Sequence, residues 1–139
     1  MSIEIPEGFV PAQFTPGFLD HSGPYFLKRT PDAKIIGCRI TEQHMNYMNS
    51  AHGGVLATLA DVALSFQLYD SAAPKLPVST VSMTTNFLCS ARLGDWVEAS
   101  GVIDRIGAKL GYVHGSIWCG ERVLMTMSGV YNIIRPEKA

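Results

Sequence analysis

Residues Gly53–Tyr69 read GGVLATLADVALSFQLY, and this stretch decides the fold. Apolar side chains run nearly all the way round a 3.6-residue period, which predicts a buried helix and not an amphipathic surface one. The helix is expected over residues 52–69, after a polar loop at 41–50 and before residues 71–77, which hold two prolines. Asp61 is its only charged residue, in a place that propensity and burial both disfavour. Its neighbours three and four positions away are Ala57, Thr58, Leu64 and Ser65, so no intrahelical ion pair offsets the charge. Thr58 or Ser65 is expected to supply one hydrogen bond. An acid withdrawn from water with no cation beside it is a candidate general base near neutral pH. The bland alternative, an acid facing a solvated edge of the helix, weighs about evenly on composition alone.

The helix is entered through His44-Met45-Asn46-Tyr47-Met48-Asn49-Ser50-Ala51-His52-Gly53-Gly54. Two glycines at a helix start leave the first backbone N–H groups uncovered, at the positive end of the dipole. Such donors suit a carbonyl that becomes an oxyanion, although on pattern alone tight packing is the favoured explanation of a glycine pair. Gly53 and Asp61 are eight residues apart, roughly 12 Å along a helix at 1.5 Å per residue. Reacting groups must approach within roughly 3–3.5 Å. One helix cannot serve both roles at one carbon, whereas two helices antiparallel about a two-fold axis can.

Beyond the helix the period changes to two. Strands are expected at 78–89, 95–106, 111–119 and 122–134, joined by short Gly-containing turns as an antiparallel meander. Inward positions are Val81, Met83, Phe87 and Cys89; then Val97, Ala99 and Ile103; then Val113, Ile117 and Cys119; then Val123, Met125, Met127, Tyr131 and Ile133. Two shorter strands are expected before the helix, at 25–28 and 34–40, behind a packed, Pro- and Gly-rich lead-in at 1–24. This is an α+β architecture in one domain spanning 1–139, a central helix wrapped by an antiparallel sheet of five to six strands.

Charged residues make up 17% of the 139-residue chain, against roughly 25% in an average domain, which suggests surface buried against other copies. A net charge of -1 gives no footprint for nucleic acid or an acidic membrane. The opening MSIEIPEGF lacks a basic-then-apolar signal layout, and no apolar run is long enough to span a bilayer. A cytoplasmic protein is expected. Cys38, Cys89 and Cys119, with no CxxC spacing, are expected to be buried reduced thiols, with no metal.

His44-x-Asn46, then His52-Gly53-Gly54, then Leu59-Ala60-Asp61 resembles the HxN…HGG…LxD signature of hotdog-fold acyl-CoA thioesterases, most closely the PaaI-like branch of the phenylacetate pathway. The resemblance runs over about 34–134. It implies that Gly53 N–H binds the thioester oxygen, that Asn46 positions the thioester or the water, and that Asp61 of a second subunit is general base or nucleophile. It assigns His52 to shaping the turn. Ser82 falls where the family often has a hydroxyl that orients the water, and Asn49 stands where many members have glycine. Arg105 and Lys109, with Arg92 and Arg135 as further options, are candidates for the CoA phosphates. CoA is part of the substrate, so no separate cofactor is implied. The assembly implied is a homodimer, and outward Val102, Tyr112 and Trp118 suggest a dimer of dimers. The acyl group is aryl or short to medium in length, with Tyr47, Phe66, Tyr69, Phe87 and Tyr131 as possible lining. The alternatives are a hotdog hydratase or dehydratase, which needs a His beside the acid (His44 or His114), and a non-catalytic acyl-CoA-binding module.

Overall fold

The computed structural model describes residues 3–135, so the first two residues of the lead-in lie outside the described residues. Along the chain run β1 (Val10–Pro11), α1 (Phe18–Ser22), β2 (Phe26–Arg29), β3 (Lys34–Arg39), a 3-10 turn (Glu42–His44), α2 (Gly53–Tyr69), β4 (Val78–Phe87), β5 (Trp96–Ile106), β6 (Leu110–Cys119) and β7 (Arg122–Ile133). The sheet has seven strands, one more than the expected upper limit, because the lead-in itself adds the two-residue β1 beside β2.

α2 buries Leu56, Leu59, Ala60, Val62, Ala63, Leu64, Gln67 and Leu68. The sheet curls round it, presenting Ile36, Val97, Ala99, Val113, Ile117, Met125 and Tyr131. Helix and sheet approach closely at Gly101 and Gly111, where a Cβ would lie 2.8 Å from Leu64 and Leu68 respectively. The helix-wrapped antiparallel sheet is the hotdog architecture. Among the described residues, no helix is long and apolar enough to cross a membrane.

The meander expectation holds for β5–β6–β7 and fails for β4. Strand order is β1-β2-β3-β5-β6-β7-β4, so β4 pairs with β7 while β5 pairs with β3. The link between β4 and β5 crosses the start of α2, tied by Ala51 N–H to Ala91 O and Gly94 N–H to Ile40 O. A hydroxyl-rich strand such as β4, with Ser79, Thr80, Ser82, Thr84 and Thr85, suits an edge better than a sheet interior.

Inward alternation also breaks in β4. A bulge between Thr80 and Ser82 leaves Val81 unpaired and exposed, and reverses the phase on its two sides. Val123 is likewise exposed, next to the irregularity at Ile117/Trp118. Cys38 is buried, and desolvation pushes its thiol up to about 12. Cys119 is half-buried, and Cys89, expected inside, is exposed because β4 ends at Phe87.

Candidate active site

Asp61 is half-buried in the middle of α2. Neither expected helical partner reaches it: the Thr58 hydroxyl donates to Gly54 O at 2.8 Å and that of Ser65 to Val62 O at 3.2 Å. Its partners come from the sheet. Thr80 Oγ1 donates to Asp61 Oδ1 at 2.7 Å, and the Tyr131 hydroxyl donates to the same oxygen at 3.0 Å. Tyr131 is fully buried, and burial first, then the Asp61 charge, pushes its hydroxyl far above the usual phenol range. It therefore stays a proton donor. Oδ2 accepts no hydrogen bond among the described residues and is open enough to meet water. The carboxylate is pinned by one oxygen and free at the other.

The second half of the site forms at the start of α2. His52 caps the helix, its Nδ1 accepting from Gly54 N–H at 2.9 Å. The N–H groups of Val55 and Leu56 both reach His52 O. Gly53 N–H is left without an acceptor among the described residues. Asn46 Oδ1 accepts from Met48 N–H at 2.8 Å and Ser50 N–H at 3.2 Å, folding the loop back on itself. Asn49 sits in that loop at φ 62, a left-handed conformation that Asn tolerates and glycine prefers. Asn46 and Gly53 share a concavity of about 270 Å³ with Leu56, Phe87 and Leu88.

The other histidines sit elsewhere. His44 is buried, its Nε2 donating to Ser22 O at 2.8 Å and its Nδ1 accepting from Thr41 N–H at 2.9 Å. It joins the entry loop to the lead-in. His114 pairs with Asp104 at 2.8 Å on exposed strand positions. Neither imidazole is a partner of Asp61.

Ser82 is not brought to the acid. Across β4 and β7, Thr80 stands opposite inward Tyr131, whereas Ser82 stands opposite Val130 and lines a shallow outer-face depression with Asp104, Tyr112 and Ser128. With the bulge at Val81, it is Thr80 and not Ser82 whose hydroxyl reaches Asp61. The signal for this was present as the run Ser79-Thr80-Val81-Ser82, but a bulge leaves no period to read. Tyr131 was legible as an inward residue and as possible acyl lining, but not as a partner of Asp61.

Arg105 lies just past a bulge in β5 and Lys109 in the β5–β6 turn. Arg135 donates to Ala108 O at 3.1 Å, drawing a third cation to that hairpin tip. Gly111, at the same tip, packs on Leu68, so the three cations lie toward the C-terminal end of α2. Arg92 is in the β4–β5 link, its N–H on Asp95. Of the proposed lining residues, Tyr47 is 96% exposed, Tyr69 and Phe87 are exposed, Phe66 is half-buried and Tyr131 is core.

Comparison with known proteins gives the family and the fold. A model of the thioesterase superfamily matches residues 48–126, from the entry loop into the first part of β7. A Pseudomonas aeruginosa protein named as an esterase is 35% identical over 132 residues, covering 94% of this chain and 98% of that one. The fold is shared with the Escherichia coli PaaI protein of the phenylacetic acid degradation operon (TM-score 0.68, 23% identity, 74% of this chain and 73% of that one). A Streptococcus pneumoniae thioesterase protein solved with coenzyme A gives TM-score 0.73 at 20% identity, covering 82% and 91%. Zebra fish thioesterase superfamily member 2 gives 0.77 at 18%, covering 86% and 88%. The chain therefore belongs to the thioesterase superfamily, and it has the hotdog fold.

Proposed function

We propose that this protein hydrolyses an acyl-CoA to free acid and CoA in the cytoplasm, at two sites each shared between the subunits of a homodimer. The observation that carries the proposal is the division of labour along α2. Among the described residues, an amide without an acceptor stands at its start and an acid without a cation in its middle, too far apart to act on one carbon. Edge strand β4 offers the means of joining them. Thr80 at one end of β4 holds Asp61, and Phe87 at the other lies beside Gly53. Antiparallel pairing of two β4 strands about their midpoint would set the Asp61 end of one subunit against the Gly53 end of the other. It would also cover Val81, Phe87 and Leu88, which are 59%, 54% and 55% exposed along an open sheet edge.

In this site the thioester oxygen accepts from Gly53 N–H, and the loop folded by Asn46 positions the thioester. Oδ2 of the opposing Asp61 takes a proton from water while the water oxygen attacks the carbonyl carbon. The tetrahedral intermediate collapses, the C–S bond breaks, and the CoA thiolate leaves and regains a proton. Thr80 and Tyr131 keep the carboxylate oriented through Oδ1. Arg105 and Lys109, with Arg135, would meet the CoA phosphates as solvated cations. Outward Val102 and Tyr112 would let two dimers stack.

Complementation tests the shared site. Asn46→Ala and Asp61→Asn proteins are each expected to be inactive, and their mixture to regain activity through heterodimers holding one intact site. Mixtures that stay inactive after demonstrated subunit exchange would sink the proposal.

A further inference from the structure

Two cavities adjoin beneath the N-terminal segment. The first, about 440 Å³, is bounded by Val62, Ser65, Phe66 and Tyr69 of α2 and by Pro77 and Val78. The second, about 480 Å³, lies against Pro24, Tyr25 and Phe26. Gln13, Phe14 and Leu19 line both, and Phe14 is the largest apolar side chain where the two meet. The Phe14 ring is held edge-on to Phe66 at 6.3 Å and tilted to Tyr25 at 6.0 Å, which fixes its place in the wall.

The first cavity begins beside the proposed base. Val62 follows Asp61 directly, Ser65 is about one helical turn further on, and Val78 is two residues before Thr80. Asp20 lines the second cavity, whereas among the described residues none lining the first carries a formal charge. A CoA phosphate gains nothing there, whereas an apolar chain loses its water. Its volume falls within the roughly 300–1,000 Å³ of small-molecule pockets. Phe14 also precedes the family-matched residues 48–126, so family membership carries no expectation for it.

We propose that Phe14 is a specificity-determining residue: the first cavity seats an uncharged, apolar acyl group, and the Phe14 ring limits its length by closing off the second. This rests on the thioesterase reading above. Truncating the ring joins the two cavities, and enlarging it shortens the first. One methylene in an apolar pocket changes kcat/KM by roughly 10–200-fold, so the effect lies within reach of a substrate series.

The experiment measures kcat/KM for straight-chain acyl-CoA esters from acetyl to hexadecanoyl. Phe14→Ala is expected to move the optimum to longer chains, raising the long-to-short ratio roughly tenfold or more. Leu19→Ala should move it the same way by less, and Phe14→Trp toward shorter chains. A ratio between substrates is insensitive to the folded fraction, so partial unfolding of one variant does not mimic the shift. Profiles that stay where the wild type has them in Phe14→Ala and Phe14→Trp, with Asp61→Asn inactive, would overturn the subsite alone. Undiminished turnover by Asp61→Asn would overturn the underlying reading and the subsite together.

Discussion

α2 carries one acid in its middle and is closed by another, and the protein treats them in opposite ways. Asp70, the C-cap, has a side chain only 4% exposed and is gripped by Arg29, Lys34 and Lys75. Arg29 first, then Lys34 and Lys75, hold its carboxyl far below the usual carboxylate range against the opposing effect of burial. Asp61 meets only two hydroxyls, both on one oxygen. A carboxylate surrounded by cations is a poor proton acceptor and a good clasp, here tying β2, β3 and the segment after α2 to the helix end. A carboxylate oriented by neutral donors and free at one oxygen can accept a proton. The contrast separates the acid that holds the fold from the acid available for chemistry.

The largest effect that would break this contrast is on catalysis at Asp61. Asp61→Asn keeps an oxygen for Thr80 and Tyr131 but removes the proposed base, and hydrolysis is expected to fall by at least about 10²-fold with little change in Tm. Steady-state kinetics beside a thermal melt checks it, and near-normal turnover removes Asp61 from the mechanism.

Next come the hydroxyls that orient it. A hydrogen bond to a charged group contributes about 1.5–3 kcal/mol, so Thr80→Val should lower kcat roughly 10–100-fold. Ser82→Ala, on the outer face, should leave it near the wild-type value. A larger loss in Ser82→Ala than in Thr80→Val would reverse the assignment made from the bulge.

Asp70→Asn should do the reverse of Asp61→Asn. Arg29 and Lys75 are 54% and 49% exposed and regain hydration when released, so the loss is about 1–2 kcal/mol, below that of a wholly buried network. That corresponds to a Tm drop of roughly 3–8 °C with chemistry retained.

Acid titration sharpens the same point by a smaller amount. The folded Asp70 pKa is depressed, so its stabilisation is fully present above the unfolded value, about 3.9, and is lost as pH falls through the folded one. Tm should therefore decline on acidification below about pH 4, and the decline should be shallower in Asp70→Asn. Equal slopes in the two proteins would show that Asp70 does not couple folding to protons.

How much of this was legible follows from the range of each interaction. The expected helix at 52–69 and the strands at 95–106, 111–119 and 122–134 fall within a residue or two of α2, β5, β6 and β7. A 3.6- or 2-residue period is written in neighbouring side chains. The glycine pair and the lone helical acid were visible for the same reason. The position of β4 was not, because hairpin-like spacing says where a strand ends and not which edge it joins.

The sequence by itself determined a nearly all-apolar helix with one acid inside it, a glycine-started turn into it, and strands long enough to wrap it. Of that helix's first amides, Gly53 N–H alone is left bare among the described residues, because His52 caps Gly54. Only the tertiary structure decided that Thr80, 19 residues away, and Tyr131, 70 residues away, meet that acid while Ser82 turns outward. It also decided that Phe14 lines two adjoining cavities. The physical reason is common to these: an unpaired residue in β4 flips the faces of a strand, and a loop packs where the finished core leaves room, neither of which any local period encodes.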